Sequence, residues 1–412
     1  MIISIISDSH LGFSPDPRLE DDSYQNFEEA FEKALDSDLI ILAGDLFDSR
    51  APKTKAWAYA LKILSKATLQ ENKGVKLIET DKELKEASKK TLEHLPVIAI
   101  HGNHELRAKG EINAIEALEN AGLLIYLNAN KIVFEKNGEK VAIFGLSHVP
   151  ERFAKDVLEK WNPKPIENAF NILVLHQNID PFVYSPLEQP TLNLSNLPKG
   201  FDLIVDGHIH ISSKEKIDST LFLIPGSTVS TQFQPSEAEI PKGFYKIDTK
   251  EKKVEFLQIN ARKLFYENLE IKKEQNAREI IERKIREKIF GNFDKQPIVK
   301  IRISGDALIS EKDLRDLEKK YHDSCILMFS KSLENPELTQ KLEFLRSLKE
   351  SKASLEEIGL SILKKSLEEL GFKNSFNYVD LFGLLSEEEI DTALKILLGE
   401  QQTLRMVKWL EK

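Results

Sequence analysis

The segment IISIISDSHLG at residues 2–12 decides the fold class, because an apolar run in it leads straight into polar residues. Ile2–Ile6 is rich in isoleucine, which is typical of a buried strand in a sheet that is covered on both faces. Asp8 and His10 follow this strand at once. Ligands of open α/β sheets bind outside the carboxyl ends of the strands, so the segment predicts a binding site where the strand ends.

Buried strands and amphipathic helices alternate through most of the first 250 residues. The predicted strands are Ile2–Ile6, Asp38–Ala43, Val97–Ile100, Val141–Phe144, Ile172–Leu175 and Leu203–Val205. The predicted helices between them are Tyr24–Leu35, Thr54–Leu69, Ile112–Asn120 and Arg152–Trp161. Three more strands, Leu221–Ile224, Gly243–Ile247 and Val254–Ile259, follow without helices, so we expect an antiparallel end to this region. The alternation predicts an α/β fold whose sheets are covered by helices.

Residues 261–333 form a second predicted region, a small α+β domain. Its strands and helices are predicted at Lys263–Ile271, Gln275–Ile289, Ile298–Ile303, Glu311–Tyr321 and Ser324–Phe329. Ser332–Pro336 is then predicted to be a linker, because an Asn-Pro pair disfavours a continuing helix.

Residues 337–412 form a third predicted region, which is nearly all helical. Capping boxes at Ser354 with Glu357 and at Ser386 with Glu389 predict two helix starts. The apolar faces of these helices carry Leu355, Ile358, Ile362 and Leu363 in the first and Ile390, Leu394, Leu397 and Leu398 in the second. Because about 80 residues make a marginal domain, either the segment forms its own small bundle or its apolar faces dock on a partner.

Charge and composition exclude several classes of protein. The 412 residues are 41% hydrophobic and 30% charged, which is typical of a globular chain. With 58 Lys and Arg against 67 Asp and Glu, the net charge of −9 excludes bulk electrostatic binding of nucleic acid but permits a local basic patch. The single Cys325 excludes a disulfide framework and a thiolate zinc cluster. No signal peptide and no membrane-spanning run is visible, so we expect a cytoplasmic protein.

Residues that can bind a metal follow five of the predicted strands. They are Asp8 and His10, Asp45, Asn103 and His104, His176, and His208 and His210. Five of the nine histidines fall in this set, which is hard to attribute to chance. Mixed Asp, His and Asn ligands favour a borderline cation such as Mn²⁺, Fe or Zn²⁺. Gly44, Gly102 and Gly207 precede candidate ligands, where a missing Cβ permits a sharp turn and close approach of the backbone.

The ordered motifs D-x-H, GD, GNHE, H and GH-x-H resemble those of the calcineurin-like metallophosphoesterases. The full sequences of these motifs, SDSHLG, GDLFDSR, GNHE, LHQ and DGHIH, are similar to those of one branch of that family. This branch is the SbcD/Mre-eleven nucleases of DNA double-strand-break repair. The motifs span residues 8–210, and the resemblance implies a β-sandwich flanked by helices as the nuclease domain, residues 1–260. It also implies a capping and DNA-contacting role for residues 261–333 and ATPase binding by residues 337–412.

The same resemblance implies a site with two Mn²⁺ ions that share Asp45 as a bridging carboxylate. The other ligands would be Asp8, His10 and His210 for one ion, and Asn103, His176 and His208 for the other. His104 would be the catalytic general acid that protonates the leaving sugar oxygen. Many family members have a histidine where this chain has Asp48, so two roles stay open there: orienting a neighbouring group, or placing a charge at a helix start before Pro52.

The implied function is a Mn²⁺-dependent DNA nuclease, an exonuclease on double-stranded ends and an endonuclease on single strands. The implied partners are DNA, a second copy of the chain and an SMC-like ATPase of the SbcC/Rad-fifty type, and the implied location is the nucleoid. Two alternatives stay open. One is a phosphomonoesterase or cyclic phosphodiesterase with the same metal ligands, and the other is a non-enzymatic scaffold that tethers DNA ends.

Two contact surfaces are also predicted. Candidates for DNA contact are the basic residues near the motifs, namely Arg50, Lys53, Lys55, Arg107 and Lys109. Candidates for the homodimer are apolar residues on two helices, namely Ala56, Tyr59, Ala60, Ile63, Leu64, Ile115 and Leu118. The alternatives are that the basic residues lie in solvated loops and that the apolar residues cover the sheet.

Overall fold

The chain folds into two units by its internal contacts, Met1–Ser332 and Leu333–Lys412. The computed structural model describes residues 1–108, 110–183, 192–305, 309–331, 360, 363–364 and 378–386. The strands are β1 Ile2–Ile6, β2 Leu39–Ala43, β3 Lys76–Thr80, β4 Val97–Ile100, β5 Ile125–Tyr126, β6 Asn130–Lys136, β7 Glu139–Gly145, β8 Phe170–Leu175, β9 Ile179–Asp180, β10 Leu192–Asn193, β11 Leu203–Asp206, β12 Ser213–Ile217, β13 Thr220–Ile224, β14 Gly243–Asp248, β15 Lys253–Gln258, β16 Leu264–Glu270, β17 Ile298–Ser304 and β18 Ile326–Lys331. The helices are α1 Asp22–Ala34, α2 Thr54–Thr68, α3 Glu86–Leu92, α4 Ala114–Asn120, α5 Glu151–Trp161, α6 Pro235–Glu239, α7 Ala277–Lys288, α8 Glu311–Tyr321 and α9 Tyr378–Ser386.

Two sheets build most of the first unit. The first has the strand order β15-β14-β1-β2-β4-β5, and the second has the order β12-β13-β11-β8-β7-β6-β3. The central pairs β1–β2, β2–β4, β7–β8 and β8–β11 are parallel, so their carboxyl ends lie together at one edge of each sheet. The late pair β14–β15 is antiparallel as predicted. Strand β13 is parallel to β11 and pairs antiparallel only with β12, a strand that was not predicted.

The two sheets pack face to face around a shared apolar core. Along β2, Leu39 and Ile41 lie in this core, while Ile40 and Leu42 lie under the helices on the outer face. Both faces of the strand are therefore buried, which explains why it is a continuous apolar run in the sequence. The architecture is the predicted sandwich flanked by helices.

Helices α1, α2 and α4 cover the outer face of the first sheet. The buried residues there include Ala56, Ala60, Ile63, Leu64, Ile115 and Leu118. The prediction that these residues form a dimer interface is therefore wrong, because they cover the sheet within one chain. Tyr59 is half-buried and stacks on Tyr24 with ring centroids 4.4 Å apart.

A separate parallel sheet follows in the order β16-β17-β18. Helices α7 and α8 pack on one of its faces. Leu264 and Ile298 join an apolar cluster with Leu19 near the start of the chain. Arg262 pairs with Asp22 in the same region, with Nε 2.6 Å from Oδ2. These contacts lie inside the first unit, and the domain boundary at residue 260 stays a prediction.

Some elements differ from the sequence-based expectation. The elements that were not predicted are helix α3 and strands β3, β5, β6, β9, β10 and β12. Strand β3 carries only exposed or half-buried residues, which leave no apolar run to detect. The expectation of no helix after Leu203 in the first region is wrong, since α6 forms there, although it has only 5 residues.

In the second unit the structure describes α9 and three residues before it. Ser386 is the last described residue of α9, and because residues 387–412 lie outside the described residues, the predicted helix start at Ser386 stays a prediction. The linker Ser332–Pro336, the capping box at Ser354 and the apolar face from Ile390 to Leu398 lie outside the described residues. Among the described helices, none has the length and apolar character that crossing a bilayer requires.

Candidate metal centre

The predicted metal ligands come together at the carboxyl ends of central strands from both sheets. Asp8 and His10 follow β1, Asp45 follows β2, Asn103 and His104 follow β4, His176 follows β8, and His208 and His210 follow β11. Donor atoms within 4.8 Å of one another form three overlapping groups, which are Asp8 with His10 and His210, His10 with Asp45 and His104, and Asp45 with His176 and His208. Asn103 joins the last group through its side-chain oxygen. The fold thus brings all the predicted site residues into one place.

Four of these residues have a backbone conformation that side chains rarely adopt. The φ angle is 50° at Asp8, 44° at His10, 47° at Asp45 and 78° at His208. A left-handed φ at a residue other than glycine costs of order 1–3 kcal/mol and persists only where the surrounding structure enforces it. At Asp8 and His10 backbone hydrogen bonds do so, because the Asp8 N–H donates to the Gly44 carbonyl at 3.1 Å and the His10 N–H to the Asp45 carbonyl at 3.0 Å. The His208 N–H donates to Asp8 Oδ1 at 3.1 Å.

Gly44, Gly102 and Gly207 leave room for the ligands, as their positions in the motifs predict. A Cβ at Gly44 would lie 2.3 Å from His176 Nδ1, and one at Gly102 would lie 2.1 Å from Asp45 Oδ1. A Cβ at Gly207 would lie 2.6 Å from His176 Nδ1. Contacts this short are not tolerated between non-bonded atoms, so alanine at any of these positions would displace a candidate ligand.

The first group of donors consists of Asp8, His10 and His210. The Nε2 atoms of the two histidines are 3.0 Å apart, and His210 Nε2 lies 3.7 Å from Asp8 Oδ1. The Nδ1 atoms face other oxygens, Thr231 Oγ1 at 2.5 Å from His210 and Asp48 Oδ1 at 3.3 Å from His10. When each Nδ1 carries its ring's proton toward these oxygens, both Nε2 atoms present lone pairs to each other. That arrangement favours a cation bound to both rings.

The second group consists of Asn103, His176 and His208. His176 Nδ1 donates to the Ala43 carbonyl oxygen at 2.9 Å, so in the neutral ring Nε2 carries the lone pair. This Nε2 lies 3.2 Å from Asn103 Oδ1, and His208 Nδ1 lies 3.1 Å from the same oxygen. The two rings therefore present different nitrogens to one amide oxygen.

Asp45 lies between the two groups. Its Oδ2 is 3.3 Å from His176 Nε2 and 3.9 Å from His10 Nε2, so one oxygen faces a histidine of each group. Its Oδ1 accepts the backbone N–H of His104 at 2.9 Å. A carboxylate that bridges two cations must lie between their two sets of ligands, as Asp45 does.

Charges in the site show where a cation would compete with a proton. Burial lowers the pKa of His176, but the adjacent Asp45 carboxylate outweighs burial and raises this pKa to about 10. Burial likewise opposes ionisation of Asp45, yet His176 holds the pKa of Asp45 well below its usual value. Burial raises the pKa of Asp8 to about 6 and lowers that of His208 to about 3. In the metal-free protein a proton on His176 balances Asp45, and a bound cation must displace it.

His104 lies at the edge of the site and is held by the backbone. Its Nδ1 donates to the Asp48 carbonyl oxygen at 2.9 Å, and its ring packs edge-on against His10 with centroids 4.7 Å apart. Its side chain is 38% exposed, whereas that of His10 is 2% exposed. Nε2 is therefore the ring nitrogen available for proton exchange with a bound substrate.

Asp48 supports both of these histidines. Its carboxylate faces His10, and its backbone carbonyl accepts the hydrogen bond from His104. Helix α2 begins only at Thr54, with Lys53 as the N-cap residue. Of the two roles that the sequence left open, the structure thus favours the orienting role over the helix-start charge.

Comparison with known proteins identifies the family. A family profile described as calcineurin-like phosphoesterase matches residues 1–212, a range that contains every candidate ligand. The chain belongs to this family. Metal-binding residues at the strand ends are therefore expected of its fold, and the family implies a divalent metal at this site.

Within the calcineurin-like phosphoesterases the chain belongs to the Mre11 branch. It is 31% identical to DNA double-strand break repair protein Mre11 of Sulfurisphaera tokodaii, over 76% of this chain and 76% of that protein. It is 29% identical to the protein of the same name from Sulfolobus acidocaldarius, over 77% of this chain and 80% of that protein. The double-strand break repair protein MRE11 of Encephalitozoon cuniculi is 31% identical over 69% of this chain, and the match spans about half, 52%, of that protein.

Sequence reasoning missed residues that support the ligands. Glu105 is fully buried and accepts the backbone N–H groups of Phe47 at 2.9 Å and Gly102 at 2.8 Å, which joins the second motif to the third. Burial and the nearby Asp45 raise the pKa of Glu105 to about 7. The position of Glu105 in the GNHE motif could have predicted its supporting role. Thr231, which contacts His210, had none, because it lies 21 residues further along the chain.

The predicted DNA-contact residues have different surroundings. Lys55 pairs with two carboxylates just before α1, at 2.7 and 2.9 Å. Arg107 lies 3.8 Å from the carboxylate four residues later. Arg50 and Lys53 are exposed, and Lys109 lies outside the described residues. Arg50 and Lys53 are therefore the better candidates for phosphate contacts.

Proposed function

We propose that this chain is a Mn²⁺-dependent DNA nuclease of double-strand-break repair that hydrolyses phosphodiester bonds with two metal ions. The observation that carries the proposal is the position of Asp45, whose Oδ2 faces a histidine of each donor group. Exonuclease action on double-stranded ends and endonuclease action on single strands are parts of the proposal.

The donor atoms fit two divalent ions. The ligands would be Asp8, His10 and His210 for one ion and Asn103, His176 and His208 for the other, with Asp45 shared. Imidazole, carboxylate and amide donors suit Mn²⁺ and similar borderline cations. When bound, such a pair supplies Lewis acidity to the phosphoryl oxygens and stabilises the charge of the transition state.

The protein's own contribution is to hold these donors and to move a proton. His104 would donate its proton from Nε2 to the leaving sugar oxygen, because its Nδ1 is engaged by a backbone carbonyl. Its partial exposure gives a bound nucleic acid access to the ring. General acid catalysis of this kind typically contributes about 10²–10⁴-fold to the rate.

The substrate and partners are proposed from the relatives and the sequence pattern together. The relatives are named as double-strand break repair proteins, so DNA ends are the proposed substrate. Residues 261–333 would contact DNA as a capping domain. The helical residues 337–412 would bind an SMC-like ATPase of the SbcC/Rad-fifty type, and the chain would act as a homodimer at the nucleoid in the cytoplasm.

The test is cleavage of linear duplex DNA by the full chain with Mn²⁺, with and without a chelator. We expect cleavage that needs Mn²⁺, that stops with the chelator and that is about 10²–10⁴-fold slower in His104→Ser. A small chromogenic phosphate ester serves as the comparison substrate.

Other results would point to other functions. Hydrolysis of the small ester in preference to DNA would favour a phosphomonoesterase or cyclic phosphodiesterase. DNA binding without cleavage, by a chain that retains no metal, would favour the tethering scaffold.

A further inference from the structure

We propose that the buried ion pair of Lys242 and Glu237 positions His210, and that it thereby sets the affinity of the ion held by Asp8, His10 and His210. This inference rests on the proposed two-ion site. Neither residue belongs to a motif that marks the metal ligands, and both lie beyond the 212 residues that the family profile matches.

Lys242 holds the backbone of His210. Its Nζ donates to the His210 carbonyl oxygen at 3.1 Å, to Ser227 Oγ at 2.8 Å and to Glu237 Oε1 at 2.9 Å. An ammonium group has three N–H donors, so these contacts use all of them. The side chain is only 7% exposed, so bulk water offers little competition. A buried ammonium with every donor engaged fixes the position of each acceptor.

Glu237 holds the loop that orients the His210 ring. Its Oε1 accepts the Thr231 N–H at 3.2 Å, and its Oε2 accepts the N–H groups of Gln232 at 2.9 Å and Phe233 at 2.7 Å. Thr231 Oγ1 in turn contacts His210 Nδ1 at 2.5 Å. The carboxylate therefore fixes the hydroxyl group that directs His210 Nε2 toward Asp8 and His10.

Stability alone does not explain why Lys242 and Glu237 form a buried ion pair. Removing two charges from water is costly, and replacing such a pair with apolar residues is often neutral or stabilising. Here both charges of the pair act on the same metal ligand, His210. Lys242 donates to the His210 carbonyl oxygen, and Glu237 accepts the N–H of Thr231, whose hydroxyl contacts the His210 ring. Removing a residue that hydrogen-bonds to a metal ligand typically weakens metal binding by about 10–100-fold.

The effect should be confined to one ion. His176 in the second group is oriented by the Ala43 backbone carbonyl, a contact that does not involve Lys242 or Glu237. Loss of the pair should weaken the first ion and leave the second one bound.

The principal experiment is calorimetric titration of the full chain with Mn²⁺ alone, in wild type and in Lys242→Met. We expect binding of one of two ions to weaken by about 10–100-fold and binding of the other to stay unchanged. The matched control is Lys82→Met, which breaks another largely buried pair, with Glu119 Oε1 at 2.8 Å, away from the metal ligands. The control should lose thermal stability and still bind both ions as wild type does.

A second variant keeps the proposal testable where Lys242→Met does not fold. Thr231→Val removes the hydroxyl at His210 Nδ1 and keeps the shape of the side chain. It should weaken the same single ion. Its control is Thr91→Val, because Thr91 is a buried threonine whose hydroxyl donates to the Gly122 carbonyl at 3.1 Å.

Two results would overturn the proposal. One is wild-type affinity for both ions in Thr231→Val and in folded Lys242→Met. The other is equal weakening of both ions, since that indicates a general loosening of the site. A wild-type chain that binds fewer than two ions would contradict the proposed function itself and this inference with it, so the two failures are distinguishable.

Discussion

His176 of the second donor group and the two histidines of the first group differ in what faces their Nδ1 atoms. In the second group, His176 is oriented by the main-chain carbonyl of Ala43. In the first group, His210 Nδ1 contacts the Thr231 hydroxyl and His10 Nδ1 lies 3.3 Å from Asp48 Oδ1, so both rings face side chains. A contact to the main chain survives substitution of its residue, whereas a contact to a side chain does not. Single substitutions should therefore separate the two ions, and the predictions below use that difference.

Asp45→Ala should have the largest effect, because Asp45 faces both groups. We expect loss of both ions and of DNA cleavage to background, whereas His208→Ala should lose one ion. Elemental analysis of the purified chains measures both outcomes. Asp36→Ala is the control, because this exposed carboxylate pairs only with Lys246 among the described residues. Two ions retained in Asp45→Ala would show that the groups do not share this ligand.

His104→Ser should reduce the rate of DNA cleavage by about 10²–10⁴-fold, because it removes the proton donor. Both ions should stay bound, since His104 is not a member of either ligand set. The control is His322→Ser, a histidine with a 62% exposed side chain in the small-sheet region. Metal content that falls together with the rate would reveal His104 as a ligand.

Binding of the second ion should release a proton and strengthen as the pH rises. Because Asp45 raises the pKa of His176 to about 10, the ring is protonated at pH 7 and a cation must displace that proton. Between pH 7 and 9 the affinity should therefore rise by up to about tenfold per pH unit, and it should fall as the pH is lowered. Calorimetry in buffers of different ionisation enthalpy counts the protons. Binding at pH 8 without proton release would contradict the charge balance described above.

Asp48→Asn should have the smallest effect and should act on the first ion alone. The amide keeps the backbone carbonyl that holds His104 and removes the charge that faces His10. We expect the affinity for that ion to fall by about tenfold, which is the low end of the effect of removing a residue that supports a metal ligand. The affinity for the second ion should not change. Asp81→Asn, whose carboxylate accepts the Lys131 N–H, is the control. Equal weakening of both ions would argue against separate orientation of the two groups.

The candidate ligands could be predicted from the sequence because each follows a local signal. β1, β2, β4, β8 and β11 are short buried runs, and the polar residue after each run marks a strand end. Parallel pairing then brings these ends together. The edge strand β3, most of whose residues are exposed, lacks such a run, so it left no comparable signal.

The residues that orient the ligands could not be predicted in the same way. Thr231 and Lys242 reach His210 across 21 and 32 residues, and nothing in their neighbours' sequence marks the contact. Ala43 contacts His176 through its main-chain carbonyl, and because every residue has this group, the sequence does not mark the contact. The choice of Ala56, Ala60, Ile63 and Leu64 on α2 as dimer contacts failed for a related reason. The spacing of apolar residues along a helix does not show whether they pack on a sheet of the same chain or on another chain.

The most direct test of the shared Asp45 is a crystal structure of the full chain soaked in Mn²⁺, with anomalous scattering used to locate the ions. We predict two peaks about 3.5–4 Å apart, both in contact with the Asp45 carboxylate, one beside His10 and His210 and the other beside His176 and His208. A single peak, or two peaks of which only one contacts Asp45, would contradict the account.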